Sequence, residues 1–107
     1  MSAMYFGAAI LLTLPVFGQI GGTGTIRGVV SDPSGAVIPG ASVVAVNVGT
    51  QIKTTGQTTE AGVYSITPLP AGEYTITVTA NGFQTLVQPH VNVDALSTVG
   101  LNLRASA

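Results

Sequence analysis

The 107-residue chain has no cysteine and no tryptophan, a single histidine, and only three basic and four acidic side chains. Without cysteine there is no disulfide scaffold, no thiol nucleophile, no thiolate metal site and no lipoprotein-type acylation. A net charge of −1 and a pI near 5.5 remove the electrostatic footprint of a nucleic-acid binder. Long helices are excluded as well. After Gln19 the longest stretch free of glycine and proline is residues 90–99. Either breaker costs a helix interior about 1 to 3 kcal/mol, and average helices need about 11 or 12 residues.

What remains is apolar and β-branched. Hydrophobic residues make up 46% of the chain, which with so little charge argues against disorder. Beyond Gln19 there are 13 Val and 13 Thr, stiff at χ1 and favourable in strands. Residues 4–17 form an apolar run broken only by Thr13 and Pro15. A bilayer-spanning helix needs about 20 residues, so the run suits the apolar part of a secretory signal and not a membrane anchor. Gly18 fits the position before cleavage, with Val16 two residues upstream. No Lys or Arg precedes the run, so only the α-amino group supplies the usual positive end. The alternative is that the segment belongs to the folded domain. The expected organisation is a signal over 1–18, a glycine-rich leader over 19–24 and one domain over 25–104.

Alternation and turn residues divide that domain into seven strands, at 25–31, 41–48, 51–57, 63–67, 73–80, 84–93 and 98–104. Asp32-Pro33-Ser34-Gly35 is turn chemistry, with Asp32 placed to accept backbone N–H bonds. Residues 68–72 are expected to close the fourth strand. Asn81-Gly82 matches a two-residue type I′ hairpin turn. Parity sends Ile26, Gly28 and Val30 inward with Arg27 outward, and Tyr64, Ile66, Tyr74, Ile76 and Val78 inward. Residues 41–48 are apolar on both faces, so the outer face is expected to be covered by another element or a partner. Pro89 marks its strand as an edge or a bent one. The architecture expected is an all-β, seven-stranded antiparallel sandwich of Greek-key type.

Reactive groups are few. A zinc peptidase needs three protein ligands and a base, and His90 is the sole histidine. It reads as a surface residue on a solvent face or strand bend. Asp94 shares its parity four residues on, too far to orient it along a strand rising about 3.3 Å per residue. Asp32, Glu60, Glu73 and Asp94 are scattered, with no calcium-loop spacing, and Glu73 reads as simply solvated. Gly22-x-Gly24 does not complete a dinucleotide motif, because Arg27 occupies the third glycine's place. No catalytic, cofactor or metal site is assigned, and the chain is read as a non-enzyme. Among the aromatic residues of the domain, Phe83 alone is a candidate for an exposed ring able to meet a ligand such as a carbohydrate, and weak or no glycan affinity is expected.

Five motifs in order, Gly28-x-Val30-x-Asp32-x-x-Gly35, Ile38-Pro39-Gly40-Ala41-x-Val43, Thr58-x-x-x-Gly62-x-Tyr64, Leu69-Pro70-x-Gly72-x-Tyr74 and Gly82-Phe83, make the chain similar to the carboxypeptidase regulatory-like domain. Glu60 departs from the Asp that often follows the Thr of the third motif. The resemblance implies a transthyretin-like sandwich of the carbohydrate-binding-like group. It also implies an accessory role, beside the catalytic domain in metallocarboxypeptidases or at the amino-terminal, periplasmic end of bacterial TonB-dependent outer-membrane receptors. The expected setting is therefore the periplasm or outer membrane of an exported protein, or secretion. The expected partner is a protein or neighbouring domain of the envelope, with carbohydrate and a lost peptidase domain as alternatives.

Overall fold

Eight strands account for most of residues 22–107, the part of the chain that the computed structural model describes. They are β1 (Thr23–Ser31), β2 (Ser42–Asn47), β3 (Lys53–Gln57), β4 (Val63–Pro70), β5 (Gly72–Thr79), β6 (Leu86–Val93), β7 (Thr98–Gly100) and β8 (Leu103–Arg104). The expected signal segment lies outside the described residues. β1 starts at Thr23, so Thr23 and Gly24 lie in the strand and not in a leader.

Two sheets pack face to face. One has the order β4-β1-β7, with β8 also on β1, and the other has the order β3-β2-β5-β6. Every expected strand is present, and the seventh is divided into β7 and β8 where Leu101 and Asn102 leave the ladder. The expectation of a wholly antiparallel sandwich needs one correction: β7 and β8 run parallel to β1. β6 belongs to the second sheet, so the chain crosses between sheets before β7 and enters the first sheet in the direction of β1. All pairings in the second sheet are antiparallel.

Inward parity holds along the strands except where β4 shifts register before Leu69 and β6 bulges at Pro89 and His90. Ile26, Val30, Tyr64, Ile66 and Leu69 of the first sheet meet Val43, Ala45, Tyr74, Ile76 and Val78 of the second, all fully buried. Each such Val, Ile or Leu contributes about 1.5–3 kcal/mol by leaving water. Both tyrosine hydroxyls find acceptors: Tyr64 donates to the Leu101 carbonyl at 2.5 Å and Tyr74 to the Pro70 carbonyl at 2.6 Å. Gly28 is half-buried because the last strand lies across it; a Cβ there would stand 1.9 Å from the Leu101 carbonyl oxygen. Gly62 has φ +75° and no room for a Cβ, which would come within 2.6 Å of Val37.

Two turns differ from expectation. β4 continues through Pro70, with Leu69 paired to Gly24 and fully buried. The apolar contact of Leu69 outweighs the proline signal, and a register shift in the β1–β4 pairing accommodates the extra chain. At residues 80–83 the Phe83 N–H donates to the Ala80 carbonyl at 3.1 Å, and of the two central residues only Gly82 has positive φ. That is a type II arrangement, not type I′. The loop is long enough to relax the hairpin because β5 and β6 first pair at Val78 and Leu86. Its Gln84 N–H donates instead to the Ser106 carbonyl.

Candidate binding surfaces

The outer face of the second sheet carries mostly uncharged side chains. Cross-strand register sets Thr55, Val44, Thr77 and Val87 in one row and Lys53, Val46 and Thr75 in the next. Val87 is 54% exposed, and Val44 and Val46 are half-buried by their neighbours. The expectation that another element of the chain covers this face is not met among the described residues. β-branched side chains standing side by side shelter one another, which lowers the cost of leaving the face in water.

One margin of the face carries the sole histidine. Where Tyr74 pairs with Val91 but Ile76 with Gln88, two residues of β6, Pro89 and His90, oppose the single Thr75. The bulge gives His90 φ +60° and turns its ring over β5, with Nδ1 2.9 Å from Glu73 Oε2. Glu73 is therefore paired, contrary to the solvated role expected for it. The ring is 83% exposed. Among the described residues, neither a serine nor Asp94 hydrogen-bonds to it, and no cluster of three metal-ligating side chains occurs.

At the opposite end of the second sheet an open cleft of about 250 Å³ lies between the start of β2 and the β5–β6 loop. Phe83 forms part of its wall and packs its other side against the core. Ser42, Thr79, Asn81 and Thr85 supply hydroxyls and an amide around it. The candidate aromatic residue thus lies in a concave, polar site, which the sequence did not show. Ser42 and Thr79 pair across β2 and β5, and the loop that carries Asn81 and Thr85 toward them is set by tertiary contacts. Tyr64 and Tyr74, by contrast, are core residues, and burial pushes the Tyr64 phenol up to about 12.

Asp32 caps its turn. One carboxylate oxygen accepts from Ser34 N–H at 2.9 Å, Ser34 Oγ–H at 2.6 Å and Ala36 N–H at 3.0 Å. These donors, the Ser34 hydroxyl foremost, hold its pKa below the ordinary value. All three bonds fall on Oδ1, which fixes the side chain over its own turn.

The sequence model of the carboxypeptidase regulatory-like domain matches residues 25–106. The chain belongs to that family. The regulatory-like domain shares its fold with a protein of Bacteroides uniformis ATCC 8492 proposed to bind carbohydrate, at 18% identity and a TM-score of 0.65, over 79% of this chain and 42% of that one. The Bacillus anthracis TIE protein is similar at 20% identity and a TM-score of 0.66, over 79% of this chain and 16% of that one. Catechol 1,2-dioxygenase of Acinetobacter radioresistens gives 14% identity and 0.65, over 83% and 53%. The chain therefore spans less than two thirds of each of these proteins, and at such identities the likeness is one of fold. No curated protein matches the sequence significantly. No helix of the described residues is long and apolar enough to cross a membrane.

Proposed function

We propose that this regulatory-like domain is an exported, non-catalytic accessory module that docks on a neighbouring domain or protein of the bacterial cell envelope. The setting that best fits is the periplasmic, amino-terminal side of a TonB-dependent outer-membrane receptor or a truncated relative. The observation that carries the reading is the uncovered face around Val44, Val46 and Val87, on a strand whose other face already fills the core. Family membership and the apolar run at residues 4–17 support export and an accessory role.

A photo-crosslinking residue at position 46 of the full chain in its native envelope tests the reading. Capture of one envelope protein, lost on Val44→Lys, is the expected result. Absence of any crosslinked product, or hydrolytic turnover by the pure chain, would overturn it. Sequencing past codon 107 tests the setting separately: alternating, aromatic-girdled strands indicate a receptor barrel and zinc-ligand motifs a peptidase.

A second reading, carbohydrate binding, is favoured by the cleft beside Phe83, where one aromatic wall meets several hydroxyls and an amide. Sugars stack a C–H face on such a ring while their hydroxyls meet polar groups at its rim. Calorimetry with a panel of glycans decides this; binding abolished by Phe83→Ala supports it, and no heat with any glycan removes it.

A further inference from the structure

An asparagine side chain can react with the backbone nitrogen of the residue after it. The reaction is held back where a side chain crowds that nitrogen, where the nitrogen already donates a hydrogen bond, or where the asparagine amide is itself bound. A following glycine lifts the first restraint, because it has no Cβ and leaves its backbone free to rotate. The chain has four asparagines, and three of them are restrained. Asn47 Oδ1 accepts from Gly49 and Thr50 N–H, while the following Val48 N–H donates to the Glu73 carbonyl. Asn92 lies in β6 opposite Glu73 and precedes the buried Val93. Asn102 Oδ1 holds the Val29 N–H, and the following Leu103 pairs with Val30 of β1.

Asn81 differs on every count. It and Gly82 are exposed, and no hydrogen bond engages the Asn81 side chain or the Gly82 N–H among the described residues. Gly82 has φ +86°, and a Cβ there would meet nothing within 4 Å. The bonds that close the loop lie outside the reactive pair: Phe83 N–H to the Ala80 carbonyl at 3.1 Å and Gln84 N–H to the Ser106 carbonyl at 2.8 Å. Type I and type II turns differ chiefly in the setting of their central peptide. The Asn81–Gly82 peptide can therefore rotate without breaking either bond, and rotation is what brings Gly82 N onto Asn81 Cγ.

We propose that Asn81 is a self-modifying site, at which the folded domain converts a neutral cleft wall into an anionic one. Gly82 N loses its proton to hydroxide and bonds to Asn81 Cγ. The Cγ–Nδ2 bond breaks, and Nδ2 takes up a proton and leaves as ammonia. One water then opens the five-membered imide. Opening at Cγ gives aspartate, and opening at the Asn81 main-chain carbonyl gives isoaspartate, in which the chain runs through the side-chain carbon. Nothing is oxidised or reduced; one water enters and one ammonia leaves. Asn81 lines the cleft beside Phe83, and no residue of that lining is charged. The product sets a carboxylate there, so a ligand of the cleft meets a neutral wall before the reaction and a negative one after it. The inference stands whether or not the cleft holds a sugar, and it does not depend on the accessory role.

Incubation of the folded full chain at 37 °C and pH 6 to 9, followed by isoelectric focusing and peptide mapping by mass spectrometry, is the test. Conversion is expected at residue 81, at a rate that rises with pH, with isoaspartate the major product and one negative charge gained per chain. Asn47, Asn92 and Asn102 are expected to keep their amides. Gly82→Ala crowds the attacking nitrogen at a position with room for the methyl group and is expected to slow conversion about tenfold. Asn81→Gln is expected to abolish the charge shift, because its imide would need a sixth ring member. Circular dichroism of both variants should match that of the parent chain. Conversion at Asn81 no faster than at the other three asparagines overturns the proposal. So does a folded chain that keeps the Asn81 amide while the same chain in urea loses it, since the turn would then protect the site.

Discussion

The two ends of the sandwich are tied in different ways. Near the Asp32 turn, side chains join segments far apart in sequence. The buried Thr58 hydroxyl donates to the Ile38 carbonyl at 2.7 Å and accepts from Ala41 N–H at 2.8 Å. Asn102 Oδ1 takes the Val29 N–H at 3.0 Å, and Tyr64 reaches Leu101. At the end where the chain enters β1, the loops mostly tie to themselves. Asn47 accepts from Gly49 and Thr50, Ser97 donates to Asp94, and Tyr74 to Pro70. That end also leaves Val48 46%, Ile52 64% and Leu96 92% exposed, and puts Gln51 and Leu96 at positive φ. Long-range ties hold the topology, while local ties shape a loop without deciding which strands meet. The fold should therefore be sensitive at one end and tolerant at the other.

Gly28→Ala strikes the sensitive end hardest. Its methyl group would collide with the Leu101 backbone, which is also the acceptor for Tyr64. We expect a loss of about 4 kcal/mol or failure to fold, read by urea denaturation. Thr58→Val keeps the shape but leaves the Ala41 N–H and the Ile38 carbonyl unpaired, for a loss of about 2–4 kcal/mol in the same assay. A loss below 1 kcal/mol would mean that water replaces the hydroxyl and that the tie is dispensable.

Tyr64→Phe should cost about 1–2 kcal/mol at neutral pH and change the alkaline behaviour. The folded phenol ionises near 12, above its ordinary value of 10.0. The folded state thus holds the proton more tightly than the unfolded chain does. Its stabilising contribution is complete below pH 10 and is lost as pH rises from there toward 12. Thermal melts of the wild type should fall across that window, and the Phe variant should fall less.

The smallest effect belongs to the tolerant end. Leu96→Asn removes a solvent-exposed apolar side chain from the left-handed region and supplies one that adopts it readily. A gain of about 0.5–1 kcal/mol is expected. A loss of similar size would show that the Leu96 side chain has a contact worth keeping, and the contrast between the ends would weaken.

Most of the fold was legible in the chain because its signals are local. Tyr74, Ile76 and Val78 alternate with Glu73, Thr75 and Thr77, which fixes a strand and its faces whatever it packs against. Asp32-Pro33-Ser34-Gly35 makes its turn from its own side chains. The candidate surfaces were less legible. Phe83 was recognised as an aromatic residue beside a turn, but its cleft requires the β2 start and the β5–β6 loop to meet. Glu73 and His90 lie 17 residues apart, and only the one-residue offset of the bulge aligns them. The reach of β4 to Pro70 escaped because proline is a strong local stop signal, whereas the burial of Leu69 is decided by β1.

The sequence by itself determined that this protein carries one β-rich domain, with strands, turns and inward residues at nearly fixed places. Period-two alternation and glycine-proline punctuation need no partner to be read. Tertiary structure alone decided that the last two strands run parallel to the first. It also decided which side chains share a surface, because strand order depends on contacts among residues distant in the chain, and no local pattern encodes them.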